Sequence, residues 1–171
     1  MLNREEIEKL IQASRLIEGA IDLNTQLTPN GIDLTAGDIF EFEAAGALDF
    51  SNKERLIPQG KEIQPKKKFA EDKFGWWDLK KGAYKVKTNE TLNIPKGLVA
   101  MAFTRTSLLR AGAFTGHGVW DAGFSGKSEF LLAVDNPFGL KLKQNARVAQ
   151  VVFFTIDETQ HSYNGIYQNL K

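Results

Sequence analysis

From Ile21 to Ile156 the chain consists of short apolar or alternating runs, each closed by turn-forming residues. This texture restricts the fold more than any other feature. The runs are Ile39 to Ala44, Trp76 to Leu79, Ala83 to Lys87, Leu98 to Phe103, Glu129 to Val134, Leu140 to Lys143 and Arg147 to Ile156. Alternation turns one face of a strand to the core and the other to water. Asn-Gly at 30–31, Lys-Gly at 81–82 and 96–97, and Asn-Pro at 136–137 supply the turns between them. So many short strands predict a mostly β fold, whether sandwich, jelly roll or distorted barrel. The final run, ARVAQVVFFTI, is apolar on both faces and is expected to lie between other strands. Gln150 interrupts it and needs a partner, either backbone of a neighbouring subunit or a ligand.

One helix is expected, from about Asn3 to Ser14. Asn3 can cap it with Glu6 completing a capping box, Leu2 and Ile7 occupy staple positions, and Ile7, Leu10 and Ile11 form an apolar stripe. A second, short helix near Ser107 to Arg110 would end at Gly112. Gln64 to Lys73, with three successive lysines, reads as a solvated loop. Trp76 and Trp77 after it point to opposite faces of a strand, one toward the core and one toward an interface.

The 171 residues suit a single domain, residues 1–171, with about 160–171 forming a tail or lid. A formal net charge of only +1 gives no global pull toward nucleic acid or an anionic membrane, so any anion site must be local. The absence of cysteine excludes disulfides, thiolate catalysis and cysteine-held metals, and two histidines, His117 and His161, make a histidine-rich metal site a poor expectation. The opening MLNREEIEKL is acidic where a signal peptide is basic and then apolar, and no run is long enough to span a bilayer, so a cytoplasmic protein is expected.

The chemistry is expected between Thr104 and Gly126, TRTSLLRAGAFTGHGVWDAGFSG. Two arginines with flanking hydroxyls suit a polyphosphate, because guanidinium forks match phosphate oxygens and hydroxyls add short hydrogen bonds without charge. Asp121 in a glycine-punctuated turn could serve as a base. The same residues equally suit a bland reading, with Arg105 and Arg110 as surface charges, Thr106 and Ser107 as helix starters and Asp121 as a turn cap.

Four segments in order resemble the dUTPase and dCTP deaminase superfamily over nearly the whole chain. Pro29-Asn30-Gly31-Ile32-Asp33-Leu34 resembles the family's Pro-x-x-x-Asp-Leu, and Arg105-Thr106-Ser107-Leu108-Leu109-Arg110 its Arg-Ser-Ser-Leu-x-Arg phosphate motif. Gly118-Val119-Trp120-Asp121-Ala122-Gly123-Phe124-Ser125-Gly126 combines the Gly-Val-Ile-Asp of dUTPases with the Asp-x-Gly-Phe-x-Gly of deaminases. Asn145-Ala146-Arg147-Val148-Ala149-Gln150 resembles the Gly-x-Arg-Ile-Gln/Gly-Gln strand.

The resemblance implies a distorted β-barrel or jelly roll of the trimeric dUTPase type, with three sites at subunit boundaries. It gives Asp121 the role of holding the 3′-hydroxyl and orienting the attacking water, and Phe124 that of excluding a ribose 2′-hydroxyl. By the same resemblance Gly116, His117, Gly118, Val119 and Trp120 would form the hairpin that reads the pyrimidine, while Arg105, Thr106, Ser107, Arg110 and Gln150 would contact phosphates. Asp33 would hold Mg2+ through water. Tyr163, Tyr167 and Gln168 lie in a tail that resembles an abbreviated deaminase tail and could close over phosphates or sugar.

Family deaminases place a proton-shuttling glutamate where this chain has Leu131, and Gly118 follows the dUTPase pattern. Hydrolysis of dUTP to dUMP and pyrophosphate is therefore the expected activity. Two alternatives stay open: a dCTP deaminase or bifunctional enzyme using Glu129, two residues before Leu131 on the same strand face, and a nucleotide-binding trimer without turnover.

Overall fold

The computed structural model describes all 171 residues. In chain order its elements are α1 (Arg4–Ser14), β1 (Ile17–Glu18), α2 (Leu23–Gln26), β2 (Leu27–Thr28), β3 (Gly31–Glu41), β4 (Lys61–Glu62) and β5 (Trp76–Leu79). There follow β6 (Gly82–Asn93), β7 (Leu98–Thr104), α3 (Thr106–Arg110), β8 (Ala113–Gly116), β9 (Ser125–Val134), β10 (Leu140–Lys143) and β11 (Arg147–Thr155). No helix is long and apolar enough to cross a membrane.

The main sheet runs β7-β11-β3-β6-β9-β8, all pairs antiparallel, with β1, β2 and β4 added at its margins; β5 and β10 form a separate ribbon. The two ends of this path meet. Ala100 on β7 and Trp120 exchange backbone hydrogen bonds of 3.0 Å in both directions, and Thr104 Oγ1 accepts from the Thr115 amide at 2.9 Å. The sheet is thereby nearly closed into a barrel, which satisfies strand edges that would otherwise stay unpaired.

The capping box predicted for α1 is present: the Glu6 amide donates to Asn3 Oδ1 at 2.9 Å and the Asn3 amide to Glu6 Oε2 at 2.8 Å. Leu2 and Ile7 are buried, fastening the helix to the barrel. Since Ile7 is fully buried, Ile7→Ala would remove about 2–5 kcal/mol. As its two-sided apolar pattern predicts, β11 lies between β7 and β3. Trp77 is buried and Trp76 is 40% exposed, as alternation requires. The lysine run 66–68 is exposed.

The structure extends several predicted strands. β3 starts at Gly31 rather than Ile39, so the Asp33-Leu34 motif is itself strand, entered by a tight Pro29-Asn30 turn that pairs Thr28 with Gly31. β6 continues past Lys87 to Asn93, because Tyr84, Val86, Thr88, Glu90 and Leu92 all point inward. Glu90 is fully buried, accepting from Gln26 Nε2 at 2.7 Å, Thr35 Oγ1 at 2.6 Å and the Thr35 amide at 3.0 Å. These bonds make a carboxylate tolerable there. Gln150 finds its partner within the chain, donating to Thr28 Oγ1 at 2.8 Å.

Candidate active site

The hairpin formed by β8 and β9 is braced before it can bind anything. Besides the Ala100 bridge, Trp120 is buried and its indole N–H donates to Ser128 Oγ at 2.8 Å. His117 turns inward, with Nε2 2.8 Å from Thr115 Oγ1 and its ring 4.4 Å from Phe130 and 5.8 Å from Trp120. Its Nδ1 is buried without a partner, and burial pushes the imidazole down from its ordinary 6.5 to about 4, so it is neutral at pH 7. The resemblance puts His117 in the hairpin bordering the pyrimidine; in the fold its ring packs on Phe130 and Trp120.

In front of the hairpin is a cavity of about 490 Å³, walled by Gly118, Val119, Trp120 and Phe124 on one side and by Lys127, Glu129 and Leu131 of β9 on another. Phe124 is buried, and Tyr163 meets it edge-on with ring centroids 5.5 Å apart. Tyr163 and Tyr167 complete the wall because the tail folds back onto its own chain. The Tyr163 amide donates to the Ala122 carbonyl at 2.9 Å, Asn169 to Ser125 at 2.7 Å, and the Lys127 amide to Leu170 at 2.8 Å. Gln168 bridges the Ser125 amide and the Gly123 carbonyl, each at 3.0 Å. Its amide therefore staples the tail down, whereas the sequence predicts it at the ligand.

Asp121 is exposed and opens into a second groove of about 470 Å³, shared with Ala122 and tail residues His161 to Gly165. Tyr163 lines both spaces.

The arginine motif lies elsewhere. Arg105 precedes α3, and its Nε forms an ion pair with Asp33 Oδ2 at 2.9 Å; Arg147 Nη1 donates to the same oxygen at 3.2 Å and to the Thr25 carbonyl at 2.8 Å. Burial pushes the Asp33 carboxyl up, against the pull of the two guanidiniums. Thr106, Ser107 and Arg110 are exposed, and Arg110 has no ion-pair partner. None of Asp33, Arg105, Thr106, Ser107, Arg110 and Gln150 lines the large cavity or the Asp121 groove.

The donor set does not fit a protein-held magnesium ion. Both guanidiniums already occupy one oxygen of Asp33, and nowhere do three histidine, aspartate or glutamate side chains gather.

Two features of the cavity escape the motif comparison. Lys85 of β6 lines it and pairs with Glu129 at 2.9 Å, and Phe42 and Ile57 close its far side. Alternation along β6 puts Lys85 on the outer face, but no local signal joins it to Glu129. Glu129 and Leu131 share one face of β9, as expected.

Residues 1–156 match the family described as dCTP deaminase-like. A probable deoxyuridine 5′-triphosphate nucleotidohydrolase of Methanosarcina mazei is 47% identical over 171 residues, covering 99% of this chain and 96% of its own. The probable counterpart in Archaeoglobus fulgidus is 36% identical over 168 residues, covering 98% and 95%. The deoxyuridine 5′-triphosphate nucleotidohydrolase of Methanocaldococcus jannaschii is 37% identical over 143 residues, covering 84% and 87%. Among solved structures, 2′-deoxycytidine 5′-triphosphate deaminase from Agrobacterium tumefaciens superposes with a TM-score of 0.66 at 20% identity, over 91% of this chain and 48% of that longer one. That last likeness concerns the fold alone. By sequence over most of its length and by its nearly closed β-barrel, the chain belongs to the dCTP deaminase-like family.

Proposed function

We propose that the protein is a dUTP diphosphatase, hydrolysing dUTP to dUMP and pyrophosphate. The observation that carries this reading is Leu131, an aliphatic side chain on the cavity wall where deamination would need a proton carrier. Relatives named as deoxyuridine triphosphate nucleotidohydrolases, at 36–47% identity, support it.

In this reading the pyrimidine enters the large cavity and is read by the backbone of Gly116 to Trp120. The sugar packs on Phe124, where a ribose 2′-hydroxyl would lose water without gaining a partner. The sugar–phosphate junction passes Tyr163, bringing the α-phosphorus to Asp121. There the carboxylate accepts from the 3′-hydroxyl and from the attacking water, holding the water in line with the leaving pyrophosphate. Arg105, Thr106, Ser107, Arg110 and Gln150 bind the phosphates from a neighbouring copy.

A homotrimer is the assembly this requires. It is supported by the separation of the phosphate motif from both cavities and by the exposed apolar side chains Met101 and Phe103 on β7 and Leu109 on α3. Magnesium would arrive on the triphosphate, neutralising its charge and reaching Asp33 only through water.

The test is to incubate the protein and magnesium separately with dUTP and dCTP, following pyrophosphate and ammonia together. Pyrophosphate from dUTP without ammonia from dCTP is expected. Ammonia from dCTP would assign the protein to the deaminases, and dUTP binding without turnover would make it a silent binder.

A further inference from the structure

The large cavity is mainly apolar, yet one wall carries an ion pair. Lys85 Nζ lies 2.9 Å from Glu129 Oε2, with the two side chains only 14% and 26% exposed. The ammonium also sits over the Phe40 ring, 4.9 Å from its centroid. An ion pair free in solvent contributes little and is easily given up, but this one is held by strand register. Lys85 is the cross-strand partner of Leu131 and Glu129 that of Lys87, so the pair bridges β6 and β9 diagonally on the face that looks into the cavity. The third charged wall residue, Lys127, has no ion-pair partner.

We propose that Lys85 and Glu129, working beside the hairpin backbone, form a side-chain reader of the pyrimidine O4 and N3 positions that selects uracil over cytosine. This rests on the nucleotide reading of the cavity given above. An ammonium offers only donors and a carboxylate only acceptors. Uracil presents an acceptor at O4 beside a donor at N3–H, so Lys85 can give to the first while Glu129 accepts from the second. Cytosine reverses both, with a donating amine at C4 and an acceptor at N3, and each would then face a group of its own kind. The penalty for such a mismatch against a mainly apolar wall is larger than the gain from a match, because unpaired groups lose hydration. The pair therefore works chiefly by rejecting cytosine. It also gives Glu129 a role other than carrying protons, and leaves Leu131 as an inert neighbour on the same face.

The experiment measures binding of dUMP and dCMP by calorimetry to the intact wild-type protein and to Glu129→Gln, Lys85→Met and Lys127→Met, each first checked for folding by circular dichroism and melting. Wild type is expected to prefer dUMP. Glu129→Gln should narrow that preference at least about tenfold and strengthen dCMP binding outright, since a carboxamide can donate to cytosine N3. Lys85→Met should narrow the preference by weakening dUMP more than dCMP. Lys127→Met, which removes the same charge from the same wall, should leave the ratio unchanged. An unaltered ratio in folded Glu129→Gln and Lys85→Met, or equal binding of the two nucleotides by wild type, would overturn the reader and leave the diphosphatase reading standing. Failure of wild type to bind either nucleotide or to turn over dUTP would overturn both.

Discussion

One chain builds a walled cavity beside its hairpin but keeps its arginine motif apart from it. The large cavity has walls of hairpin, β9, β6 and tail, all from the same copy. Around Asp33 the arginine-motif groups are either committed to one another or exposed, and none of them lines the hairpin cavity or the Asp121 groove. An apolar pocket can be closed by packing alone, whereas a cluster of cations must wait for its anion or for a second surface. Under the diphosphatase reading the contrast predicts that catalysis needs two copies, and experiments that act on one side only can test it.

The largest effect is expected at Asp121. Asp121→Asn should lower kcat for dUTP by about 10³-fold while leaving dUMP binding nearly intact, because an amide can still accept from the sugar but orients water poorly. Undiminished hydrolysis would remove Asp121 from the mechanism. Arg110→Ala should also be poorly active. Coexpressing these two variants should then restore up to about a quarter of wild-type activity, since random pairing joins an intact Asp121 to an intact neighbouring Arg110 in that share of sites. Mixed trimers no more active than their parents would place both residues in one copy's site and end the contrast.

Asp33→Asn sharpens the comparison from the phosphate side. The carboxylate is 3% exposed and anchors Arg105 and Arg147 through a single oxygen. Losing its charge should raise KM for dUTP about 10- to 100-fold and lower stability by about 2 kcal/mol, with little change in dUMP affinity. Equal loss for both nucleotides would show that the pocket and the arginine cluster are one unit.

How far these regions can be read from sequence follows from how local their causes are. The capping box of α1, the two-sided β11 and the opposite faces of Trp76 and Trp77 depend on neighbours in the chain, and all appear as expected. The end of β6 is different. Thr88-Asn89-Glu90-Thr91 has the composition of a turn, and only its parity with Tyr84 and Val86 marks Thr88 and Glu90 as inward-facing. What makes Glu90 acceptable is Gln26 and Thr35, far away in sequence. The site shows the same division. Its motifs mark the arginine segment and the hairpin, while Lys85 joins the cavity only through register, and the His117 ring and Gln168 amide are held by nearer partners.

A smaller effect is expected at the tail. A Cβ on Gly126 would lie 2.9 Å from the Leu170 amide nitrogen, closer than carbon and backbone can stand. Gly126→Ala should therefore loosen the tail from Ser125 and Lys127, weakening dUMP binding about tenfold and increasing proteolysis after residue 160. A tail that stays protected would mean the cavity is closed by the barrel alone.

The smallest effect tests whether the hairpin's support is as enclosed as its packing indicates. The His117 imidazole titrates near 4 in the folded chain and near 6.5 when unfolded, so between these values the unfolded state binds the extra proton. Stability due to this group is complete above pH 6.5 and is lost as pH falls toward 4. Allowing for its partial exposure, the loss is about 1 kcal/mol, or a Tm change of a few degrees. His117→Phe keeps a ring between Trp120 and Phe130 and removes the titration, so its melting temperature should fall less over the same range. If both proteins lose stability in parallel, His117 is open to water, and the pyrimidine side is then less complete within one chain than its walls imply.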